Sequence, residues 1–280
     1  MNLKLLYITN RPDVAMAAEG AGVDRIFIDL ETIGKDKRQA GRDTVKSLHS
    51  VSDIAKVKNV LNESELLVRI NPINTDSKEE ISKVIDSGAD IIMLPMITEI
   101  SQVQKFIGFV DNRCKTCLLI ETRESAEKID EILKVSGASE YFIGLNDLHL
   151  SYDQSFMFEP LADGTVENLC SVFRNHGIEN YGFGGIARVG EGLLPAERII
   201  AEHHRLGSTM VILSRTFCDV SKFENIEQIE ERMRSGVDDI RDFERTLGEY
   251  SEQDYISNTE EVIKGVKKIK EIIESRKELG

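Results

Sequence analysis

Three charged side chains stand in apolar runs that leave a charge no cheap place. Arg69 lies inside Leu66-Leu67-Val68-Arg69-Ile70, Glu121 closes Leu118-Leu119-Ile120-Glu121-Thr122, and Asp147 closes Phe142-Ile143-Gly144-Leu145-Asn146-Asp147. An unpaired buried charge is very costly, so each needs a partner or a strand end that reaches solvent. For Arg69 the choices are a structural ion pair or an anchor for a carboxylate or enolate oxygen, gripped by its planar fork of donors. Glu121 and Asp147, if neighbours, repel unless something neutralises them. Mg²⁺ or Mn²⁺ would do so, taking oxygen ligands and keeping waters for a substrate to displace. The plainer alternatives are a surface pair for Glu121 and a helix N-cap for Asp147. Asp29 and Glu31, in Phe27-Ile28-Asp29-Leu30-Glu31, share one strand face at i, i+2 spacing. They would contact metal-bound waters, orient Arg69, or cap the loop that follows.

What must position these groups is a repeating unit, a short apolar run that ends in polar residues and leads into a helical segment. Eight such runs occur, at 5–9, 25–31, 66–72, 90–96, 116–122, 141–147, 181–187 and 210–215. They are rich in Ile, Leu, Val and Phe and do not alternate with polar residues, as expected of parallel strands covered on both faces. Helical periodicity lies between them. Gly88 stops one helix, Val103, Phe106, Ile107 and Val110 line the face of another, and a third runs from Pro195 to Gly207. Eight alternations favour an α/β fold, a closed (β/α)8 barrel. Glu121, Asp147 and Asp29 then fall at the C-terminal strand ends, where barrel enzymes place their chemistry. Residues 1–220 form the barrel core, and 221–280 hold the last barrel helix and a C-terminal helical extension. The final helix, 259–277, is read as an outer cover or as an arm exchanged between subunits. The second connection is long and opens with Lys35-Asp36-Lys37-Arg38.

Composition narrows the partners. A chain of 280 residues suits one barrel domain, and 41% hydrophobic residues can fill its interior and helix layer. A net charge of −14 argues against nucleic acid, whose phosphates require a basic face, though not against a small anion in a cleft of different local charge. No apolar run approaches a membrane span and the start shows no signal-peptide pattern, so the cytoplasm is the expected location. Four cysteines do not form a disulfide framework. Cys114-Lys115-Thr116-Cys117 has CxxC spacing without a second pair, and Cys117 opens an apolar strand, so a buried inert thiol is expected.

A second cluster of signals follows the seventh and eighth strands. Gly184 and Gly185 precede Arg188, and Arg215 ends the last strand. Barrels often bind phosphate there, where glycine lets backbone N–H groups approach closely. These residues would hold a second anionic group of a phosphorylated or multiply carboxylated ligand; a tight turn is the rival reading. His203 and His204, near a helix end, are expected at the surface.

Taken in order, several segments resemble the HpcH/HpaI aldolase and citrate lyase β-subunit family. They are Ala21-Gly22-Val23-Asp24 with Phe27 to Glu31, Val68-Arg69-Ile70-Asn71-Pro72, Ser87 to Met96, Ile120-Glu121-Thr122, and Phe142 to Leu148, within a similarity spanning roughly 15–215. The resemblance implies a barrel that binds Mg²⁺ or Mn²⁺ through Glu121 and Asp147, with Arg69 as the substrate-binding arginine. The metal would chelate the keto and carboxylate oxygens of pyruvate, oxaloacetate or a related acid, and Arg69 would stabilise the enolate formed when the C–C bond breaks. It also implies a homo-oligomer, a trimer or hexamer. One position departs from the pattern. The aldolase branch carries histidine after the Asp-x-Glu and the citrate lyase branch aspartate, whereas this chain has Thr32. His149, two residues beyond Asp147, is then a candidate acid–base group, with a solvated loop histidine as the alternative.

Three readings follow. The first is a metal-dependent C–C lyase or aldolase acting on a 2-keto acid or a hydroxy acid that yields one. The second is another enolate reaction, of phosphoenolpyruvate type or acyl-ester hydrolysis. The third is a non-catalytic, ligand-binding relative.

Overall fold

Each of the eight apolar runs forms a strand, shorter at its C-terminal end than the sequence suggests. They are β1 (Lys4–Ile8), β2 (Arg25–Asp29), β3 (Glu65–Arg69), β4 (Ile91–Leu94), β5 (Lys115–Ile120), β6 (Glu140–Ile143), β7 (Tyr181–Ile186) and β8 (Met210–Leu213). The computed structural model describes residues 2–34 and 49–279, with side chains to residue 276. The polar opening of the second connection, Lys35 to Arg38, lies outside them. Every strand pairs in parallel with its sequence neighbours, and β8 closes onto β1. The result is a (β/α)8 barrel.

Among the described residues the helices are α1 (Pro12–Gly20), α2 (Val51–Lys58), α3 (Ser77–Asp86), α4 (Ile100–Val110), α5 (Arg123–Glu127) and α6 (Ile129–Ile132). Then follow α7 (Leu145–Ser151), α8 (Glu159–Ala162), α9 (Thr165–Asn175), α10 (Ala196–Leu206), α11 (Ile226–Leu247) and α12 (Glu252–Leu279). Gly207, at φ 72°, ends α10 in the left-handed conformation that glycine adopts without penalty. None of these helices is long and apolar enough to cross a membrane.

Strand alternation sorts the barrel interior into layers. The middle layer is apolar, including Phe27, Leu67, Met93, Leu119 and Phe142. Below it, at the N-terminal end, Arg25 is fully buried and donates to both oxygens of Glu140 at 2.6 and 2.7 Å. β2 and β6 stand opposite each other in the ring, so this pair ties the barrel across its diameter. Glu65 is a second carboxylate partner, accepting from Nε at 3.0 Å. Burial opposes the Arg25 charge, but Glu140 and Glu65 more than offset it and hold it protonated. The upper layer carries Asp29, Arg69 and Glu121, set two residues beyond apolar neighbours on the same strands.

The C-terminal extension differs from expectation in its start. The final helix was expected over 259–277, but α12 already begins at Glu252. Ser251 explains this, since its N–H and hydroxyl both bond the Asp254 carboxylate and so open the helix early. α12 lies on its own barrel: Val262 and Val266 are buried, Asn258 and Thr259 both donate to Glu202, and Lys270 pairs with Glu159 at 2.8 Å. His203 departs from its expected surface position. It shares the inward face of α10 with Ile199, Ile200 and Leu206, and its ring stacks on Phe183 at 3.7 Å. Cys117 is buried, and burial raises its thiol pKa well above the usual value.

Candidate active site at the C-terminal rim

Parallel register sets the core of the site, since β2 and β3 pair Asp29 directly with Arg69. The Arg69 Nε and Nη2 donate to the two Asp29 carboxylate oxygens, each at 2.9 Å, and Nη2 lies 3.4 Å from Glu31. The guanidinium also stands 5.8 Å from the Phe27 ring centroid, a cation–π distance. Burial works against its charge, yet Asp29, then Glu31 and Glu121, hold it firmly protonated. Both Asp29 bonds leave from one edge of the fork. Nη1 bonds no described residue, and Arg69 lines the cavity above the barrel. Ion pair and ligand anchor are therefore compatible roles for one arginine.

Glu121 follows β5 and is 2% exposed. Two backbone features accommodate it. Met96 adopts φ 52°, costly for a residue with a side chain, and its N–H donates to Glu121 Oε1 at 3.0 Å. Gly144 supplies the space: a Cβ there would sit 2.9 Å from both Glu121 Cβ and Oε2. Asp147 does not end a strand, as the sequence suggested. β6 stops at Ile143, and Asp147 lies in the first turn of α7, where backbone N–H groups favour a carboxylate. Burial, and then the nearby Asp147 carboxylate, push the Glu121 carboxyl well above the usual carboxylate range, with Arg69 opposing.

That mutual repulsion bears on the metal. Among the described residues no group of three or more His, Cys, Asp or Glu side chains is arranged to hold a cation. Glu121 and Asp147 nevertheless fit Mg²⁺ or Mn²⁺ as a pair, because such ions are commonly held by one or two carboxylates with waters and substrate completing the shell. Both line the same cavity, and a divalent charge would relieve the strain that raises Glu121.

The cavity has a volume of ≈ 460 Å³ and brings together Asp29, Arg69, Glu121, Asp147, Gly184, Gly185 and Arg215. Three expected site residues are not among its described lining. Glu31 is buried beside Arg69 at 3.4 Å. His149 is buried on α7, with Nδ1 3.1 Å from the Leu145 carbonyl, so it is not the solvated loop histidine of the plainer reading. Arg188 turns outward to α11, bonding Asp239 at 2.9 Å, Ser235 at 3.1 Å and the Arg232 carbonyl at 3.2 Å. Its expected ligand role gives way to tying the β7 loop to α11. Thr32 is exposed, and its hydroxyl and backbone N–H both donate to Asn71 Oδ1.

Sequence reasoning missed several contributors. His49 is one: its Nδ1 accepts the Asp29 backbone N–H at 3.0 Å, which assigns any proton on a neutral ring to Nε2. It lies 20 residues from Asp29 in a polar stretch without a motif. Gly144 and Met96 were visible only as parts of longer matches, since nothing local shows that they frame Glu121.

No curated protein sequence matches the chain significantly. Among solved structures, an HpcH/HpaI aldolase from Desulfitobacterium hafniense DCB-2 is similar at 16% identity, with TM-score 0.59 over 86% of this chain and 93% of that one. An HpcH/HpaI aldolase/citrate lyase family protein from Burkholderia cenocepacia J2315 gives 14% identity and TM-score 0.61, covering 86% and 95%. The citrate synthase SbnG gives 18% identity and TM-score 0.56, covering 89% and 96%. Identities this low establish a shared fold. The model of the family HpcH/HpaI aldolase/citrate lyase matches residues 4–156, more than half of the sequence, and the chain belongs to that family.

Proposed function

We propose that this protein is a divalent-metal-dependent carbon–carbon lyase, an aldolase acting on a 2-keto acid or on a hydroxy acid that yields one. The observation that carries the reading is the opposed pair of charges in one cavity: Arg69 fixed by Asp29, facing Glu121 and Asp147. Glu121 and Asp147 would hold Mg²⁺ or Mn²⁺, which when bound supplies Lewis-acid polarisation of a keto oxygen. Arg69 offers Nη1 to the oxygen on which enolate charge develops, and its fixed orientation avoids reorganisation as that charge appears. Asp29 keeps the fork in place, and Glu31 adds charge behind it. Gly184, Gly185 and Arg215, with Ser214 and Thr216 beside them, favour a second anionic group on the ligand, phosphoryl or carboxylate. We take the working form to be a homo-oligomer, a trimer or hexamer, in the cytoplasm; light scattering of the purified protein tests the assembly.

The direct test is pyruvate with Mn²⁺ in D₂O. Methyl protons should exchange, and Glu121→Ala should abolish the exchange. No exchange together with no Mn²⁺ binding would rule the reading out. One observation favours a second reading, a different enolate reaction or ligand binding without catalysis. The Thr32 side chain stands where a catalytic histidine would be, and its hydroxyl is taken up by Asn71. Exchange without cleavage of any hydroxy-keto acid would support the different enolate reaction, and Mn²⁺ binding without exchange would support ligand binding without catalysis.

A further inference from the structure

Met157 lines the cavity, yet neither a strand nor a helix carries it. It lies in the segment 152–158 between α7 and α8, flanked in sequence by the buried Phe156 and Phe158. Phe158 reaches toward β7, where its ring would stand 3.8 Å from a Cβ on Gly184. The segment turns at Asp153, whose φ of 56° is costly for a residue with a side chain. Beyond the turn, the amides that lead into Met157 go to one carboxylate. Glu159 Oε1 accepts the N–H groups of Ser155 at 2.7 Å and Phe156 at 2.8 Å, and Oε2 accepts from Lys270 of α12 at 2.8 Å. Glu159 is 7% exposed, so its charge needs these donors. Burial disfavours that charge, but Lys270 and the two N–H groups outweigh burial and hold the carboxyl below the usual range. One turn further along α12, Glu274 accepts from the Ser155 hydroxyl at 3.2 Å and stands 3.8 Å from Lys270. The end of α12, beyond the buried Val262 and Val266, thus grips the segment that brings Met157 to the cavity.

We propose that Lys270 is a positioning residue for this cavity: through Glu159 it holds the segment 154–158 so that Met157 stays in the wall. α12 then does more than cover the barrel, since its end sets the shape of the site that takes the ligand. The inference rests on the proposed aldolase reading only in taking this cavity as the ligand site. Glu121 follows β5 and Asp147 lies in the first turn of α7, so displacing Met157 changes the fit of the ligand and not the metal ligands.

Methionine labelled with ¹³C at its methyl carbon reports the wall directly by NMR, with Met157→Leu assigning the signal. Lys270 is 40% exposed, so Lys270→Ala removes it without opening the core. In that variant the Met157 signal should shift or broaden. The pyruvate concentration for half-maximal methyl exchange, in D₂O with Mn²⁺, should rise about fivefold, the upper scale for a partly exposed ion pair. The maximal exchange rate and the Mn²⁺ affinity should stay unchanged, and Lys270→Arg should restore both the signal and the half-maximal concentration. Because Lys270 acts through Glu159, the double variant with Glu159→Gln should be no worse than Glu159→Gln alone. An unmoved Met157 signal overturns the proposal, as does a moved signal with an unchanged half-maximal concentration. A parallel fall in Mn²⁺ affinity would show general loosening and overturns it too, and additive losses in the double variant overturn the route through Glu159. If the parent protein exchanges no pyruvate protons, the aldolase reading falls, and the Met157 signal alone decides the role of Lys270.

Discussion

Gly144→Ala isolates the geometry of the site with one methyl group. The backbone at Gly144 has φ −84°, open to any residue, so the substitution adds no conformational strain of its own. The new Cβ would meet Glu121 Cβ and Oε2 at 2.9 Å and Leu119 Cδ1 at 3.1 Å. Contacts below 3 Å to a carbon must be relieved by movement. Glu121 Oε2 is the flexible end and can swing, but Glu121 Cβ is fixed to β5, so part of the strain stays in the barrel. Overpacking of this kind costs about 1–3 kcal/mol. Movement of Glu121 would also break its bond from Met96. Mn²⁺ affinity, measured by calorimetry or by electron paramagnetic resonance, should fall about 10- to 100-fold, the scale seen when support for a metal ligand is lost. Gly108→Ala is the control: it is exposed on α4 with nothing within 4 Å of its Cβ, and should stabilise the protein by about 0.5–1 kcal/mol. Lost stability with unchanged Mn²⁺ affinity would refute the claim that Gly144 makes room for a metal-binding Glu121. Unchanged stability and affinity would refute the packing argument as well.

Glu140→Ala should destabilise the barrel by about 3 kcal/mol in urea denaturation, the lower end for an abandoned buried charge, because Glu65 still pairs with Arg25; a loss under about 1 kcal/mol contradicts the diametric tie. Asp29→Asn should keep the fold but release the Arg69 fork, and the pyruvate exchange rate should drop by about tenfold or more, since charge-assisted hydrogen bonds are worth about 1.5–3 kcal/mol; an unchanged rate would separate Asp29 from the chemistry. Burial lowers the His203 pKa from 6.5 to about 3. As pH falls below 6.5 the unfolded chain binds a proton that the folded chain refuses, so stability is full above 6.5 and declines toward pH 3, by about 1.4 kcal/mol per unit at most. His203→Asn should lose that part of the slope; identical slopes in both proteins would show that His203 is not its source.

The barrel was legible because its evidence is local. Non-alternating runs such as 116–122, with a helical period between them, report strands covered on both faces wherever they occur. Strand ends were less legible. Asp147 reads as the close of an apolar run, yet the last backbone bond to β5 is from the Gly144 N–H to the Ile120 carbonyl, and the chain then turns into α7. His203 was misplaced because a dipeptide of histidines near a helix end carries no sign of which neighbour faces inward. The periodicity of Ile199, Ile200 and Leu206 held that information.

For the site, the sequence determined which charges could not be idle. Arg69, Asp29 and Glu121 occupy positions where solvation is lost, and that cost is a property of the residue and its run. What it could not determine is pairing, because partners come from strands far apart in the chain. The register that sets Asp29 beside Arg69 spans 40 residues, and the tie from Arg25 to Glu140 spans 115. Arg188 and Arg215 looked alike as arginines near one rim. Only the packing of α11 gave Arg188 to Asp239 while Arg215 was brought to the cavity. Charge type and burial are written residue by residue; the direction in which a side chain points is decided by the closed ring of strands and by the helices laid against it.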